Sequence, residues 1–230
     1  MERRLPTGCA PLDETLGGGF RFGDVSLIYG EASTGKTTLA LSCVASHLRN
    51  YRWAKAYYVD SDQKLSTKRL TQVAGGGVES LERLMVWSPR GFFEQTDVIE
   101  GLLDLIPERA PVVVDSITGA YRLEAGDASR TFVINKELNR QLGFLSETAK
   151  AKDAAVIVIG QVHAIMNSET PQVEPVAKRL LEYWSDCVLK LEMTPISGVR
   201  QAVLEKPGGS IRGYRFRLGE AGLEEVDRLW

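Results

Sequence analysis

Four short, almost uninterrupted apolar runs constrain this chain most: Val25-Ser26-Leu27-Ile28-Tyr29, Ala56-Tyr57-Tyr58-Val59, Pro111-Val112-Val113-Val114 and Ala155-Val156-Ile157-Val158-Ile159. Each has the length of a strand. None alternates apolar with polar residues, so both faces of each must be covered. Helical patterns lie between them. One opens at Thr37 and runs to about His47; a second covers 66–74 with Ser66 as its cap; a third covers 94–106 and is ended by Pro107. In the fourth, about 130–151, Leu138, Leu142, Leu145 and Ala149 recur at helical spacing. Leu84-Met85-Val86-Trp87 reads as a further short strand. Such alternation predicts an α/β fold with a mostly parallel sheet flanked by helices. Cys187–Leu191, Val199–Leu204 and Tyr214–Leu218 are strand-like runs separated by Gly and Pro, and predict antiparallel strands extending one edge. No linker or low-complexity tract divides the 230 residues, which are expected to form a single domain.

The first run leads directly into Gly30-Glu31-Ala32-Ser33-Thr34-Gly35-Lys36-Thr37, which matches G-x-x-x-x-G-K-[ST] at every fixed position. Strand before and helix after are the context this pattern requires. Glycines let the backbone curl so that several N–H groups point inward, and the helix N-terminus adds partial positive charge. Lys36 would reach the outer phosphates of a nucleoside triphosphate, and the Thr37 hydroxyl would hold Mg²⁺. Asp115, closing the third apolar run, suits a second acid for that ion. Asp60 and Asp62 also follow a strand, and the carboxyl ends of strands in an open α/β sheet face the ligand crevice. One of the two is a candidate for orienting an attacking water as general base; both equally suit capping of the next helix. Gln161, after the fourth strand, lies at the same sheet edge.

Charge bears on partners. The net charge of −2 supplies no global attraction to nucleic acid, so any such binding must be local. Cys9, Cys43 and Cys187 are far apart, show no metal spacing and read as small buried apolar residues. No run reaches the length of a membrane span and no signal peptide is evident, so a cytoplasmic location is expected.

Beyond the loop, Thr7-Gly8-Cys9, Leu12-Asp13, Leu16-Gly17-Gly18-Gly19, Gly23-Asp24-Val25, Asp60-Ser61-Asp62, Asp115-Ser116-Ile117-Thr118, Tyr121-Arg122, Gly160-Gln161-Val162 and Leu204-Glu205-Lys206 run in an order that resembles the ATPase core of RecA/RadA-type recombinases across nearly the whole chain. The stretch Asp115 to Glu124 is most like the short archaeal paralogues of that family. The resemblance implies ATP and Mg²⁺ as cofactors. Gly30, Glu31, Ala32, Ser33, Thr34, Gly35, Lys36, Thr37 and Thr38 would bind the nucleotide, with Thr37 and Asp115 serving the metal. Arg69 stands where the family packs an arginine on adenine, and Gln161 where a glutamine senses ATP beside a DNA-binding loop. Tyr121-Arg122 would begin the first such loop, and His163 to about Arg179 would form the second. Arg122 and Arg130 in the first loop, and Lys178 and Arg179 in the second, are the implied DNA contacts. Arg212, Arg215 and Arg217 around Tyr214 form another basic cluster. Lys206-Pro207 resembles the segment that caps ATP on a neighbouring subunit.

Departures from the family pattern are equally informative. Asp62 stands in place of the usual glutamate, and a carboxylate one methylene shorter sits roughly 1.5 Å further back. Misplacement of about 1 Å can cost two orders of magnitude in rate, so hydrolysis is expected to be slow. Ser33 replaces a glycine common in the family's loop, a change tolerable where its φ is negative. Gly160 replaces an asparagine. The polymerisation motif Phe-x-x-Ala occurs nowhere in the chain, and neither does the family's N-terminal helical domain, so a stable filament is not expected. Trp53, Trp87, Trp184 and Trp230 read as core or interface residues. The resemblance thus implies a DNA-binding accessory ATPase of recombination and repair. Its partners would be single-stranded or branched DNA, with the main recombinase and a junction-cleaving nuclease as protein partners. The alternatives are a signalling or clock-type ATPase of the same superfamily acting on proteins, and a small-molecule kinase, which would need an arginine lid.

Overall fold

The computed structural model describes residues 4–75, 78–124, 126–164, 173–207 and 212–226. In chain order the elements are β1 (Arg4–Leu5), α1 (Ala10–Thr15), β2 (Phe20–Arg21), β3 (Val25–Gly30), α2 (Lys36–Asn50), β4 (Ala56–Asp60), α3 (Thr67–Ala74), a 3-10 turn (Val78–Arg83), β5 (Leu84–Trp87), α4 (Phe92–Leu105) and β6 (Pro111–Asp115). There follow α5 (Gly119–Glu124), α6 (Ala128–Ala151), β7 (Ala155–Gly160), β8 (Val162–Ala164), β9 (Val173–Pro175), α7 (Lys178–Trp184), β10 (Cys187–Met193), β11 (Val199–Lys206), β12 (Arg212–Leu218) and β13 (Leu223–Glu225).

Nine strands form one sheet in the order β13-β12-β11-β10-β3-β7-β6-β4-β5. The apolar runs β3, β4, β6 and β7 are buried along their whole length. The reason is a core on each face. Tyr57, Val59, Val112, Val114, Val156 and Val158 point to one side, where α4 and α6 bring Phe92, Ile99, Leu138, Leu142 and Leu145. Ala56, Tyr58, Val113, Ile157 and Ile159 point to the other, against Leu39, Val44 and Leu48 of α2 and Val73 of α3. The alternation of side chains along a strand thereby divides an apolar run between two helical layers.

The C-terminal strands differ from expectation at one element. β11, β12 and β13 are antiparallel to their neighbours. β10, however, pairs parallel with β3, from Cys187 opposite Ser26 to Leu191 opposite Gly30, and antiparallel only with β11. Nothing local distinguishes the two directions, because the partner strand is more than 150 residues away. The limits of the four expected helices otherwise match the patterns within two or three residues, with α2 continuing to Asn50. Ser66 caps α3 as expected, its hydroxyl accepting from the Arg69 N–H at 3.2 Å. The lead-in holds Gly17, Gly18 and Gly19 at positive φ.

A polar brace joins the two helices over one face. Gln95 Nε2 donates to Gln141 Oε1 at 2.7 Å and to the Ile117 carbonyl at 3.2 Å, while Gln141 Nε2 donates to Thr96 Oγ1 at 2.7 Å. Both glutamines are fully buried. The brace therefore reaches the backbone just past Asp115, at the end of β6. Of the tryptophans, Trp87 stacks on Tyr57 and Trp184 donates to Asn139 Oδ1 at 2.9 Å. Trp53 departs from a core reading: it is 87% exposed, with the Arg52 guanidinium over its ring. Trp230 lies outside the described residues. Cys9, Cys43 and Cys187 are free thiols; the first two are buried and the third partly so.

His47, in the last turn of α2, is buried between Phe22 and Tyr51, and neither ring nitrogen has a hydrogen-bond partner among the described residues. Burial, with a smaller contribution from the Arg83 charge, pulls its pKa from 6.5 down to about 4. The unfolded chain therefore takes up a proton near pH 6.5 that the folded chain refuses until about pH 4, and stability falls as pH drops through that window. We predict that between pH 7 and 4.5 the protein loses roughly 2 kcal/mol more unfolding free energy than its His47→Phe variant in urea titrations. Parallel pH profiles for the two would contradict it.

Candidate nucleotide site

The site gathers at the carboxyl ends of β3, β4, β6 and β7, as the topology of an open parallel sheet favours. Between β3 and α2 the loop curls around the Lys36 ammonium, which donates to the Gly30 carbonyl at 2.8 Å and the Glu31 carbonyl at 2.7 Å. Buried Thr34 closes the turn by donating to the Glu31 carbonyl at 2.8 Å. Gly35 has φ 101°, and a Cβ there would lie 2.6 Å from Leu218 Cδ2. Glu31, Ala32 and Ser33 are exposed around the loop mouth. Ser33 overturns its expected geometry: its φ is 62°, in the left-handed region, rather than negative.

Asp115 and Thr37 come together as expected. The Thr37 hydroxyl donates to Asp115 Oδ2 at 2.6 Å, and the buried Tyr58 hydroxyl donates to the same oxygen at 2.7 Å. Tyr58 was not foreseen. It stands opposite Val113, so it shares the sheet face of Asp115 two residues on, within diagonal reach. Burial raises the Asp115 pKa, opposed by the two hydroxyl donors. Burial likewise lowers that of Lys36, opposed by the carboxylates of Asp115 and Asp62. A cation placed beside Asp115 would offset the cost of its buried charge. Among the described residues no cluster of three or more His, Cys, Asp or Glu could hold a metal. The donor set nevertheless fits Mg²⁺ arriving with a triphosphate, because that ion is ordinarily held by one or two protein oxygens plus phosphates. The curled loop at the α2 N-terminus, the half-buried ammonium and the hydroxyl–carboxylate pair thus fit a magnesium nucleotide.

The two acids after β4 separate. Asp60 is buried and accepts from the backbone N–H of Lys64 at 3.0 Å and of Leu65 at 2.9 Å, so it secures the turn. Asp62 faces the crevice. Its Oδ1 accepts from Ser116 Oγ at 2.9 Å; its Oδ2 accepts from Gln161 Nε2 at 3.0 Å and pairs with Lys64 Nζ at 3.2 Å. Gly119 makes this possible: a Cβ there would sit 1.9 Å from Asp62 Oδ1. Gln161 is itself fixed, its backbone N–H donating to Thr118 Oγ1 at 2.9 Å and its Oε1 accepting from Arg122 at 3.2 Å. Ser116, missed from the sequence, joins these groups, since Gln161 also donates to its Oγ at 3.1 Å. The Asp115–Ser116 and Lys206–Pro207 peptide bonds are cis.

Arg69 lies at the loop, donating to Thr38 Oγ1 at 2.9 Å and to the Glu220 carbonyl at 3.0 Å. Arg122 is exposed beside a cleft of about 560 Å³ that Asp62 and Gln161 also line. Lys178 and Arg179 line a second groove with Tyr121 and His163, of about 520 Å³. Arg130 lines neither, donating to the Glu124 carbonyl at 2.7 Å and pairing with the carboxylate of Glu124, which lines the first. Lys178 pairs with Glu174 at 3.4 Å. Lys206 is exposed and donates to the Ser185 carbonyl at 2.5 Å. Of the cluster around Tyr214, Arg215 and Arg217 are exposed on one face of β12, with Arg217 opposite Glu224; the Arg212 side chain, like the 165–172 segment of the second loop, lies outside the described residues.

Comparison with known proteins gives the family and the fold. A family model described as Rad51 matches residues 3–194. The chain is 40% identical over 232 residues to the DNA repair and recombination protein RadB of Thermococcus kodakarensis, covering 97% of this chain and 100% of that one. It is 36% identical over 221 residues to the protein of the same description from Methanocaldococcus jannaschii, covering 94% and 100%. A solved structure, the crystal structure of the RadB recombinase, superposes with a TM-score of 0.81 at 35% identity, over 97% of this chain and 100% of that chain. A chain so matched over nearly its full length, in sequence and in fold, belongs to the Rad51 family and to its RadB branch.

Proposed function

We propose that this chain is an ATP- and DNA-binding protein of homologous recombination and repair, with slow ATP hydrolysis, acting beside the main recombinase and not as a strand-exchange enzyme. The observation that carries the proposal is the hydrogen bond between half-buried Thr37 and buried Asp115, set against the Lys36 ammonium at the mouth of a G-x-x-x-x-G-K-T loop. Bound Mg·ATP would supply an activated phosphoanhydride and its metal. The chain's own residues bind and orient. Backbone N–H groups of residues 31–37 face the phosphates, with Lys36 matching their charge and Thr37 offering a metal ligand. Arg69, beside Thr38, marks the nucleoside end of the site.

Two features favour slow hydrolysis. Asp62 is the shorter carboxylate, and both its oxygens already accept bonds from Ser116, Gln161 and Lys64. Three donors thus fill three of its roughly four acceptor sites, leaving few directions from which it can accept a proton from water. Arg122 and the Lys178–Arg179 pair are the proposed DNA contacts. Arg122 is bonded to the same glutamine that contacts Asp62, so occupancy of the two sites would be felt through Gln161. The 230 residues are proposed to work as one ATPase domain in the cytoplasm. No helix among the described residues is long and apolar enough to cross a membrane.

The reading is tested by titrating a fluorescent ATP analogue in magnesium buffer, followed by filter retention of single-stranded DNA. Wild type should bind nucleotide, Lys36→Ala should lose at least about 100-fold in affinity, and DNA retention should fall steeply between low and moderate salt. Equal nucleotide binding by wild type and Lys36→Ala, or salt-independent retention, would overturn it. Asp62→Glu should raise the single-turnover hydrolysis rate by about tenfold or more; an unchanged or lower rate would show that carboxylate reach does not limit the reaction.

A further inference from the structure

The strands added to one edge of the sheet touch the phosphate loop directly. Arg200 of β11, half-buried, donates from Nε to the Ser33 carbonyl at 3.1 Å across 167 residues of sequence. Its own backbone secures it: the guanidinium also donates to the Val199 carbonyl at 3.0 Å. Ser33 is the loop residue at φ 62°, a conformation that a side chain disfavours and glycine does not. A trans peptide is planar, with C=O and N–H pointing in opposite directions. Holding the Ser33 carbonyl outward therefore turns the Thr34 N–H toward the interior of the loop, where a phosphate oxygen would need it. The other carbonyls at the loop mouth are held from inside: Gly30 and Glu31 by Lys36, and Glu31 again by Thr34. Among these carbonyls, only that of Ser33 is held by a side chain from outside the loop and its helix.

We infer that Arg200 is a positioning residue for nucleotide binding: its guanidinium clamps the Ser33 carbonyl, offsetting the reluctance of serine to adopt the left-handed turn and keeping the Thr34 amide aimed into the cradle. The inference rests on the nucleotide reading above and adds to it that the C-terminal strands are part of the binding apparatus. Without the clamp, a loop with serine at this position spends most of its time in another conformation, and apparent affinity falls with the competent fraction. With glycine at 33 the left-handed turn costs little, and the clamp is nearly dispensable.

The experiment is a double-mutant cycle read by Mg·ATP affinity, with hydrogen exchange of the loop amides measured in the absence of nucleotide. Arg200→Met, which keeps the apolar stem, should weaken Mg·ATP binding about tenfold. Adding Ser33→Gly to it should bring affinity back to within about threefold of wild type, and Arg200→Lys, which keeps one donor, should fall between. Loop amides 31–35 should exchange faster in Arg200→Met, while those of β10–β12 stay protected. An Arg200→Met affinity within about twofold of wild type, or a loss that persists in full with glycine at 33, would overturn the inference; the second result would mean that Arg200 merely packs its strand. If wild type itself failed to bind Mg·ATP, the nucleotide reading would fall. The clamp would still be judged by the exchange data, where unchanged loop protection in Arg200→Met refutes it.

Discussion

A buried carboxylate that accepts two hydroxyl hydrogen bonds on one oxygen is the interaction on which the rest of the site depends. Asp115 Oδ2 receives Thr37 from the first turn of α2 and Tyr58 from β4, so one atom ties three elements that are far apart in sequence. An unpaired charge at that depth would be costly, and each donor lowers the cost. The geometry also explains why the strands must be apolar on both faces. Only a sheet covered on both sides can carry an acid at a strand end into a protected crevice and keep its neighbours dry. The glutamine brace to the Ile117 carbonyl holds the same strand end from the opposite face.

From that anchor a second network extends along the sheet edge. Asp62, Ser116, Gln161 and Arg122 are bonded in sequence, linking the turn after β4 to α5. The network gives the acid a fixed direction and also occupies it. The same bonds tie the Asp62 carboxylate to Gln161, which also holds Arg122. Gly119 has to lack a side chain for this to exist, since the Asp62 carboxylate occupies the place of a Cβ.

Much of this was legible in the sequence, for physical reasons that differ from place to place. The phosphate loop is contiguous, and its chemistry is carried by backbone and two side chains at fixed spacing, so Lys36 and Thr37 could be read directly. Asp115 was recoverable because the loop pattern calls for a second acid at the end of a neighbouring apolar strand, whereas Asp60, which also ends one, secures a turn. Ser66 was recoverable because capping is local. Tyr58, Ser116 and Arg200 were not, since their contacts are with residues far along the chain: Tyr58 looks like one more apolar residue until its register against β6 is known. The direction of β10 was misread for the same reason, since it is set by β3, a partner far along the chain. The contact of Arg200 with the Ser33 carbonyl likewise spans 167 residues.

The central claim is that Thr37 and Asp115 together make the loop a site for a magnesium nucleotide. Calorimetric titration of ATP into wild type and Thr37→Val, with and without Mg²⁺, tests it most directly, because valine keeps the shape of threonine and removes the hydroxyl. The account predicts that Mg²⁺ strengthens ATP binding to wild type at least about tenfold and has little effect on the variant. An equal magnesium effect in both proteins would contradict it.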